Sequence, residues 1–282
     1  MEIRIPEEIS LQRIADSGQC FRWRRAGENG YRIPLGTRMI RIEQLEPDLL
    51  RMNCTEDEYD SVWKEYLDLD TSYARMNAKI RKRKDPFLWN AMQAQRGVRI
   101  LRQDTWEMLI TSIITQNRNI PAIQKSVELL SEKAGTKCMD QEGEMFYAFP
   151  SPEQIHRMTD DCLGCCKLGY RMGYIRSAAE AVYTGTVNLD ELRYLPDAEC
   201  RKRLLSLVGV GEKVAACVML FGLHRLNAFP MDVWMKRIVE NEYPEGYLFT
   251  GYSPYNGVYQ QYMFAYYREL AVEEKTTGRL NK

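Results

Sequence analysis

Between residues 20 and 54, bulky apolar positions alternate with charged ones. Cys20-Phe21-Arg22-Trp23-Arg24 has the period of a β-strand. The polar turn Gly27-Glu28-Asn29-Gly30 follows it. Tyr31-Arg32-Ile33-Pro34-Leu35, then Met39-Ile40-Arg41-Ile42, then Leu49 to Cys54 read as further short strands. Short strands joined by polar turns predict a curved antiparallel sheet. The period then lengthens. Asp57 to Leu69 places Tyr59, Val62, Trp63 and Tyr66 on one side of a helix. From Pro86 onward helical spacing dominates. Trp106 to Thr115 reads as an apolar core helix, with Ile120–Ala134, Ala178–Tyr183 and Ala198–Leu205 as further helices. Pro121, Pro152, Pro196 and Pro230 fall at starts or connections. The expectation is an α+β chain. A small N-terminal antiparallel β-sheet domain, residues 1–84, packs on a larger all-helical domain, residues 85–282.

Composition changes this picture little. The 282 residues are 45% hydrophobic and 28% charged, ordinary for a globular enzyme with a sizeable core. No stretch approaches the roughly 18 uncharged apolar residues of a membrane helix. The first dozen residues carry Glu2, Glu7 and Glu8 and no apolar run, so they do not read as a secretory signal. The eight cysteines are scattered, as expected of reduced cytoplasmic thiols. Cys162, Cys165 and Cys166 cluster. With His156 and His224 the only histidines and no second cysteine pair nearby, the expected reading is thiols at a helix end, without metal or cofactor. Lys plus Arg balance Asp plus Glu at 39 each. A neutral total can still hide a basic face, for which Arg81 to Lys84, Arg99, Arg102, Arg171, Arg176 and Arg201 to Arg203 are candidates.

The chemistry concentrates in Leu204-Leu205-Ser206-Leu207-Val208-Gly209-Val210-Gly211-Glu212-Lys213-Val214-Ala215. A helix ends, a Gly-x-Gly turn follows, and a second helix begins. This is a helix–hairpin–helix pattern spanning about residues 200–222. Gly209 and Gly211 allow positive φ and close approach of backbone to a ligand. Amides at the turn and helix N-terminus can hold a phosphate whatever the base sequence. An ordinary helical hairpin turn fits the two glycines as well. Lys213 lies in the first turn of the second helix, where the positive dipole end favours the neutral amine, the form that attacks carbon. A phosphate-contacting cation is the other reading. Cys217, four residues on, shares its helical face, while Val214, Val218 and Phe221 form the core-facing stripe. Downstream, Asp232 is a lone acid in Ala228-Phe229-Pro230-Met231-Asp232-Val233-Trp234. It can cap a helix, steady positive charge developing at a sugar carbon, or shuttle a proton.

The hairpin, the lysine after its glycines and the A-F-P-x-D-V segment resemble the helix–hairpin–helix glycosylase superfamily, and within it the 8-oxoguanine DNA glycosylase family. Ser17-Gly18-Gln19-Cys20-Phe21-Arg22-Trp23 is similar to that family's G-Q-x-F-R-W signature. Gly97-Val98-Arg99-Ile100-Leu101-Arg102-Gln103-Asp104 is similar to its G-V-R-L-L-R-Q-D segment. Ser112 to Ile120 and Leu168-Gly169-Tyr170-Arg171 match two more. The resemblance covers nearly the whole chain. It implies a bifunctional DNA N-glycosylase and abasic-site lyase in which Lys213 displaces the base through a Schiff base, Asp232 assists, and β-elimination cuts the strand. The Gly18 carbonyl would accept the proton that oxidation adds at guanine N7. Cys217 and Phe264 would sandwich the flipped base, and Gln260 would read its Watson–Crick edge. Asn117 would fill the gap in the duplex, while Tyr170 and Arg171 would wedge the stack and hold the orphaned base. Gly209 and Gly211 would contact the DNA backbone. In the Tyr255–Tyr267 stretch, the spacing of Gln260 and Phe264 also fits plain helix packing.

The chain departs from the family pattern in places. Arg118 and Asn119 follow Asn117, where eukaryotic members usually have two asparagines. Ala122 replaces an arginine that contacts the orphaned cytosine. Trp234 stands where a histidine is usual. These departures predict relaxed reading of the opposite base and a prokaryotic member, nucleoid-associated in the cytoplasm. The expected partner is double-stranded DNA containing oxidised guanine, with no membrane, bound by a monomer. No cysteine follows Cys217, which excludes a C-terminal four-cysteine cluster. A catalytically silent lesion-binding protein and a glycosylase for another damaged base are the competing classes.

Overall fold

The structure, a computed structural model, describes residues 1–276. Residues 277–282, the end of the expected helical domain, lie outside the described residues. β1 (Glu2–Arg4), β2 (Arg24–Arg25), β3 (Gly30–Leu35), β4 (Arg38–Glu46) and β5 (Leu49–Met52) form one antiparallel sheet in the order β1-β5-β4-β3-β2. Strand alternation decides its buried face. Tyr31 lies opposite Ile42 and Ile33 opposite Ile40, and all four are buried. Helix α1 (Leu11–Asp16) adds Leu11 and Ile14 to the same cluster, which also takes Trp23, Trp63, Tyr66 and Leu101.

Two sequence expectations change. Cys20 to Trp23 is not a strand; only Arg24–Arg25 pairs with the sheet. All four residues are buried, Arg22 included. The Arg22 guanidinium lies 3.5 Å from Glu107 and donates to the Tyr147 carbonyl, both in the helical half. The alternation there reflects burial between two layers. The helix expected over 57–69 spans Glu56 to Tyr66 with a π-helical turn at Tyr59–Trp63, and it buries Trp63 and Tyr66.

The helical half comprises α2 (Pro86–Ala94), α3 (Thr105–Ile114), α4 (Ile120–Ala134), α5 (Arg171–Tyr183), α6 (Asp197–Leu205), α7 (Glu212–Cys217), α8 (Val233–Glu242) and α9 (Asn256–Thr276), with shorter turns between. Helix α3 explains why its sequence is apolar on all sides. Leu109, Ile110, Ile113 and Ile114 enter one apolar cluster with α4 to α7. Met108 enters a second cluster with α2 and α9. A helix between two cores has no polar face to keep. The hairpin stripe is buried as expected, with Val214 at 3%, Val218 at 0% and Phe221 at 6% exposure. The α+β architecture with a small antiparallel sheet is as expected. No helix among the described residues is long and apolar enough to cross a membrane.

A buried ionic cluster ties the halves together. The Asp68 carboxylate, 1% exposed, pairs with Arg102 at 2.9 Å and lies 3.1 Å from His224 Nε2, just past the hairpin. It also accepts from Thr71 at 2.7 Å and Tyr73 at 2.9 Å. Burial acts to raise its carboxyl. The His224 ring, the Thr71 hydroxyl and Arg102 outweigh burial and hold it below the ordinary aspartate range. A group so depressed contributes stability above the ordinary aspartate range, and that contribution is lost as pH falls through the folded value. Asp68→Asn is expected to cost about 1–3 kcal/mol at neutral pH, the range for hydrogen bonds to a buried charged group, because Arg102, the cation left unpaired, is 39% exposed. In denaturant titrations the gap between variant and parent should close in strong acid. Equal midpoints at neutral pH would show that the cluster does not stabilise the fold.

Candidate active site

The site begins where α3 ends. The chain leaves the helix through Thr115, Gln116 and Asn117, and Asn117 adopts the left-handed region with φ +50°. The Gln116 carbonyl accepts from Arg171 Nε at 2.9 Å and from Arg171 Nη2. Arg171 also donates to the Leu168 carbonyl and stacks on Tyr170, with its guanidinium 4.3 Å from the ring centroid. It is 6% exposed. Arg171 therefore faces into the protein, not outward to an orphaned base. Asn117 and Tyr170, joined by an Nδ2–hydroxyl hydrogen bond of 3.3 Å, form the exposed tip. Tyr170 is 53% exposed.

The hairpin leans on the same turn. Gln116 Nε2 donates to the Gly209 carbonyl at 3.1 Å. Gly209 has φ +79°, and a Cβ there would lie 2.2 Å from Tyr174 Cγ. The ring needs that space. Gly211 is different. It caps α7 with extended backbone, and a Cβ would meet nothing within 4 Å. Packing within the chain does not require glycine at 211.

Lys213 stands in the first turn of α7 and donates from Nζ to Thr115 Oγ1 at 2.7 Å. The Thr115 hydroxyl in turn donates to the Ser112 carbonyl at 2.7 Å. Asp232 caps α8, accepting from the Met235 amide at 2.8 Å. Cys217, one turn beyond Lys213, senses both charges. Burial pushes its thiol up, the Lys213 ammonium pulls it down through charge and a hydrogen bond, and Asp232 raises it. The net rise keeps the thiol protonated at neutral pH.

The rest of the pocket comes from distant chain. Gly18, with φ +80°, sits in a turn pinned on both sides. Gln261 Nε2 donates to the Ser17 carbonyl at 2.5 Å and Gln103 Nε2 to the Gln19 carbonyl at 2.9 Å. A Cβ on Gly18 would lie 3.5 Å from Phe264, which is half-buried on α9. Phe264 packs against the cluster that contains Cys217. Gln260, one turn before it, is 5% exposed, and its Oε1 has no hydrogen-bond partner among the described residues. Ring and thiol thus share one apolar cluster, with the Lys213 amine one turn from the thiol.

Residues 2–109 match the family model for the 8-oxoguanine DNA glycosylase N-terminal domain. The N-glycosylase/DNA lyase OGG1 of Arabidopsis thaliana is 30% identical over 83% of this chain, which spans 66% of that protein's length. A structure of MBOgg1 with a low-affinity DNA ligand superposes with TM-score 0.89 at 34% identity, covering 96% of both chains. The Clostridium acetobutylicum 8-oxoguanine glycosylase/lyase, solved with double-stranded DNA containing cytosine opposite 8-oxoguanine, gives 0.86 at 33% identity. That match covers 96% of this chain and 98% of the other. This chain belongs to the 8-oxoguanine DNA glycosylase family. The expected class, a bifunctional DNA-repair glycosylase and lyase, is the class these relatives carry in their names.

Family membership leaves some expectations to correct. The basic face is thinner than the sequence suggests. Arg99 is 1% exposed and donates to the Asp68 and Thr71 carbonyls. Arg102 pairs with Asp68, Arg176 with Asp160 and Arg201 with Glu212. Of the cysteine triplet, Cys166 is buried and Cys162 half-buried, but Cys165 is exposed. Among the described residues no group of histidine, cysteine and carboxylate side chains could hold a metal ion. Sequence reasoning missed Thr115 and Gln116, which hold Lys213 and the hairpin. Their place just before Asn117, at the end of an apolar helix, was the available signal.

The two hairpin glycines separate architecture from ligand approach. Gly209→Ala should destabilise the fold by about 2 kcal/mol or more, from left-handed strain and the displaced Tyr174 ring. Gly211→Ala should melt with the parent but bind duplex DNA more weakly. Thermal melts and titrations with fluorescent duplex check both. A Gly211→Ala protein with parental DNA affinity would remove the hairpin turn from the interface.

Proposed function

We propose that this chain excises 8-oxoguanine from double-stranded DNA by base flipping and then cuts the strand. The observation that carries the reading is that Lys213 opens the helix after the hairpin, its Nζ held at 2.7 Å by Thr115, one turn before the buried Cys217. On this reading Lys213 is the nucleophile, Asp232 the charged assistant and Cys217 a wall of the pocket.

Each step draws on a group already placed. Asn117 and the Tyr170 ring form the projecting tip that enters the duplex as the base leaves it. Arg171 holds the turn that presents them. The flipped base lies between Phe264 and Cys217. Guanine's N1–H and amino group are donors, and the unpartnered Gln260 Oε1 is a buried acceptor that costs free energy until one reaches it. Oxidation turns N7 from acceptor to donor, so the Gly18 carbonyl welcomes the lesion and repels normal guanine. Lys213 Nζ, steered by Thr115, bonds to C1′ as the bond to the base breaks with its electron pair on the base. Asp232 steadies the positive charge passing through C1′. The nitrogen gives a proton to the departed base and the C1′–O4′ bond breaks with its pair on O4′, which opens the sugar and leaves an imine that withdraws electrons from C2′. A C2′ proton leaves, and the C3′–O bond breaks with its pair on the 3′ phosphate. An amine supplies the whole sequence, so no metal or organic cofactor takes part. The enzyme acts as a monomer. Gly209 and Gly211 bring backbone to the phosphates.

Lys213→Gln should bind lesion duplex yet give no strand scission and no borohydride-trapped adduct. Retained scission would remove Lys213 as nucleophile, and failure of the parent to trap on any lesion duplex would favour a silent binder. Asp232→Asn should slow base release by on the order of 10²-fold, as for loss of a charge-stabilising group. It should also loosen α8, so the rate is compared at a temperature where both proteins are folded. With Ala122 unable to reach the orphaned base and Arg171 turned inward, release opposite cytosine, adenine, guanine and thymine should be similar. A strong cytosine preference in single-turnover assays would overturn that expectation.

A further inference from the structure

Asn117 at the exposed tip is followed by Arg118, a cation where eukaryotic members usually have asparagine. Its side chain is half-buried, and Nη1 donates to Ser126 Oγ on α4 at 2.8 Å. Ser126 is fully buried, and its own hydroxyl donates to the Lys167 carbonyl at 3.2 Å. The serine proton is committed, so its oxygen can only accept from the guanidinium. This fixes Arg118 against α4 and against the chain that leads into Tyr170. Most of its N–H fork is left without a partner among the described residues.

Charge at this place is unbalanced. Arg171, almost fully buried, bonds to the Gln116 and Asn117 carbonyls just before Arg118. Burial and then the Arg171 charge hold Arg118 below the ordinary arginine value. Lys167, exposed, brings a third cation to the same turn through the Ser126 contact. Among the described residues none of the three forms an ion pair with a carboxylate. Arginines nearby do pair, Arg176 with Asp160 and Arg201 with Glu212. Like charges gathered in a partly buried turn without a counter-ion repel until an anion joins them.

We infer that Arg118 binds a backbone phosphate of the undamaged strand, beside the orphaned base, with Arg171 and Lys167 supplying the positive field around it. The inference rests on the reading in which Asn117 and Tyr170 enter the duplex. A phosphodiester is the anion that a duplex offers on each side of such a tip. The two ends of the turn are held by different elements. Thr115 holds Lys213 of α7, which works on the damaged strand. Arg118 lies past the tip, against α4 and the chain before Tyr170. The phosphate on its side belongs to the other strand. A planar guanidinium fork matches two phosphate oxygens at once. Such a contact carries no base information. It therefore agrees with base release that is similar opposite all four bases. It also gives the chain a hold on the orphaned strand that Ala122 cannot supply.

In the test, charge is removed from the DNA and from the protein in turn. In duplex holding 8-oxoguanine, the phosphates of the undamaged strand that flank the orphaned base are replaced one at a time by neutral methylphosphonate. Affinity is measured for the parent, Arg118→Gln and Arg118→Lys. Glutamine keeps a donor for Ser126 and loses the charge. At one phosphate the neutral linkage should weaken the parent on the order of tenfold, as for loss of one hydrogen bond to a charged group, and leave Arg118→Gln unaffected. Arg118→Lys should keep most of the sensitivity. On unmodified duplex, Arg118→Gln should lower the slope of log affinity against log salt by about one, equally opposite cytosine, adenine, guanine and thymine. If no linkage on the undamaged strand matters to the parent, the inference fails, whether or not the variants fold. It also fails if parent and Arg118→Gln lose affinity alike at every linkage. A loss confined to one opposite base would make Arg118 a base reader and overturn it too. A parent that binds lesion duplex no better than intact duplex would instead overturn the reading of the tip, and this inference with it.

Discussion

Three residues at the end of one core helix set the geometry of the whole site. Thr115 accepts the Lys213 ammonium, Gln116 holds the hairpin carbonyl at Gly209, and Asn117 turns outward to meet Tyr170. Each contact alone is an ordinary hydrogen bond. Together they fix the amine, the hairpin and the exposed tip in one frame, because no rotation of the turn satisfies one without moving the others. The constraint has a cost, since Asn117 is held at positive φ. Arg171 offsets it by spending several donors on the carbonyls of Leu168, Gln116 and Asn117. A buried cation with its donors satisfied this way cannot also be a mobile reader of bases.

The second frame is the Gly18 turn, and it is held from across the fold. Gln261 on α9 and Gln103 before α3 each donate to a carbonyl beside Gly18. Gln19, fully buried, donates to the Arg99 carbonyl at 2.9 Å and accepts from the Leu101 amide at 2.9 Å. The sheet half thus contributes one reading group to a pocket built on helices. The Asp68 cluster keeps the halves in register, with His224 reaching it from just beyond the hairpin. A carbonyl that discriminates one proton has to be fixed to a fraction of an ångström. Clamping from both sides gives that fixity to a loop that would otherwise move.

Sequence made the fold class legible because its periods change at the right places, and the limits of Ile120–Ala134 could be read directly. The hairpin was legible because Gly209, Gly211 and Lys213 are close in sequence and chemically unusual together. Asp232 stood out as a lone acid, and it does cap α8. What sequence hid were contacts whose partners are far apart. Cys20 to Trp23 alternates like a strand, but Arg22 is apolar in its burial and ionic in its partner, a combination only tertiary structure creates. Arg99, Arg102 and Arg171 looked like a basic face because sequence shows charge and not direction. Thr115 looked like the tail of an apolar helix, since nothing local marks an acceptor for an amine 98 positions away.

The burial of Arg99 and Arg171 bears on how DNA is held. Affinity built from many lysine and arginine contacts to phosphate is long-ranged, falls steeply with salt, and is the same for every sequence. Here net charge is zero, and Arg102, Arg176 and Arg201 each pair with a carboxylate of the chain. Beside the exposed run Arg81 to Lys84, backbone amides at the hairpin and at the starts of α7 and α8 can hold phosphates. These act over a few ångströms and need close docking. Apolar residues exposed beside them, Val208 at 57% and Val233 at 63%, favour the same close approach. The pocket must then supply a larger share of the binding energy than a basic groove would leave to it. Under the proposed reading, that shifts discrimination from the duplex surface to the flipped base, for which Gly18, Gln260 and Phe264 are the proposed contacts.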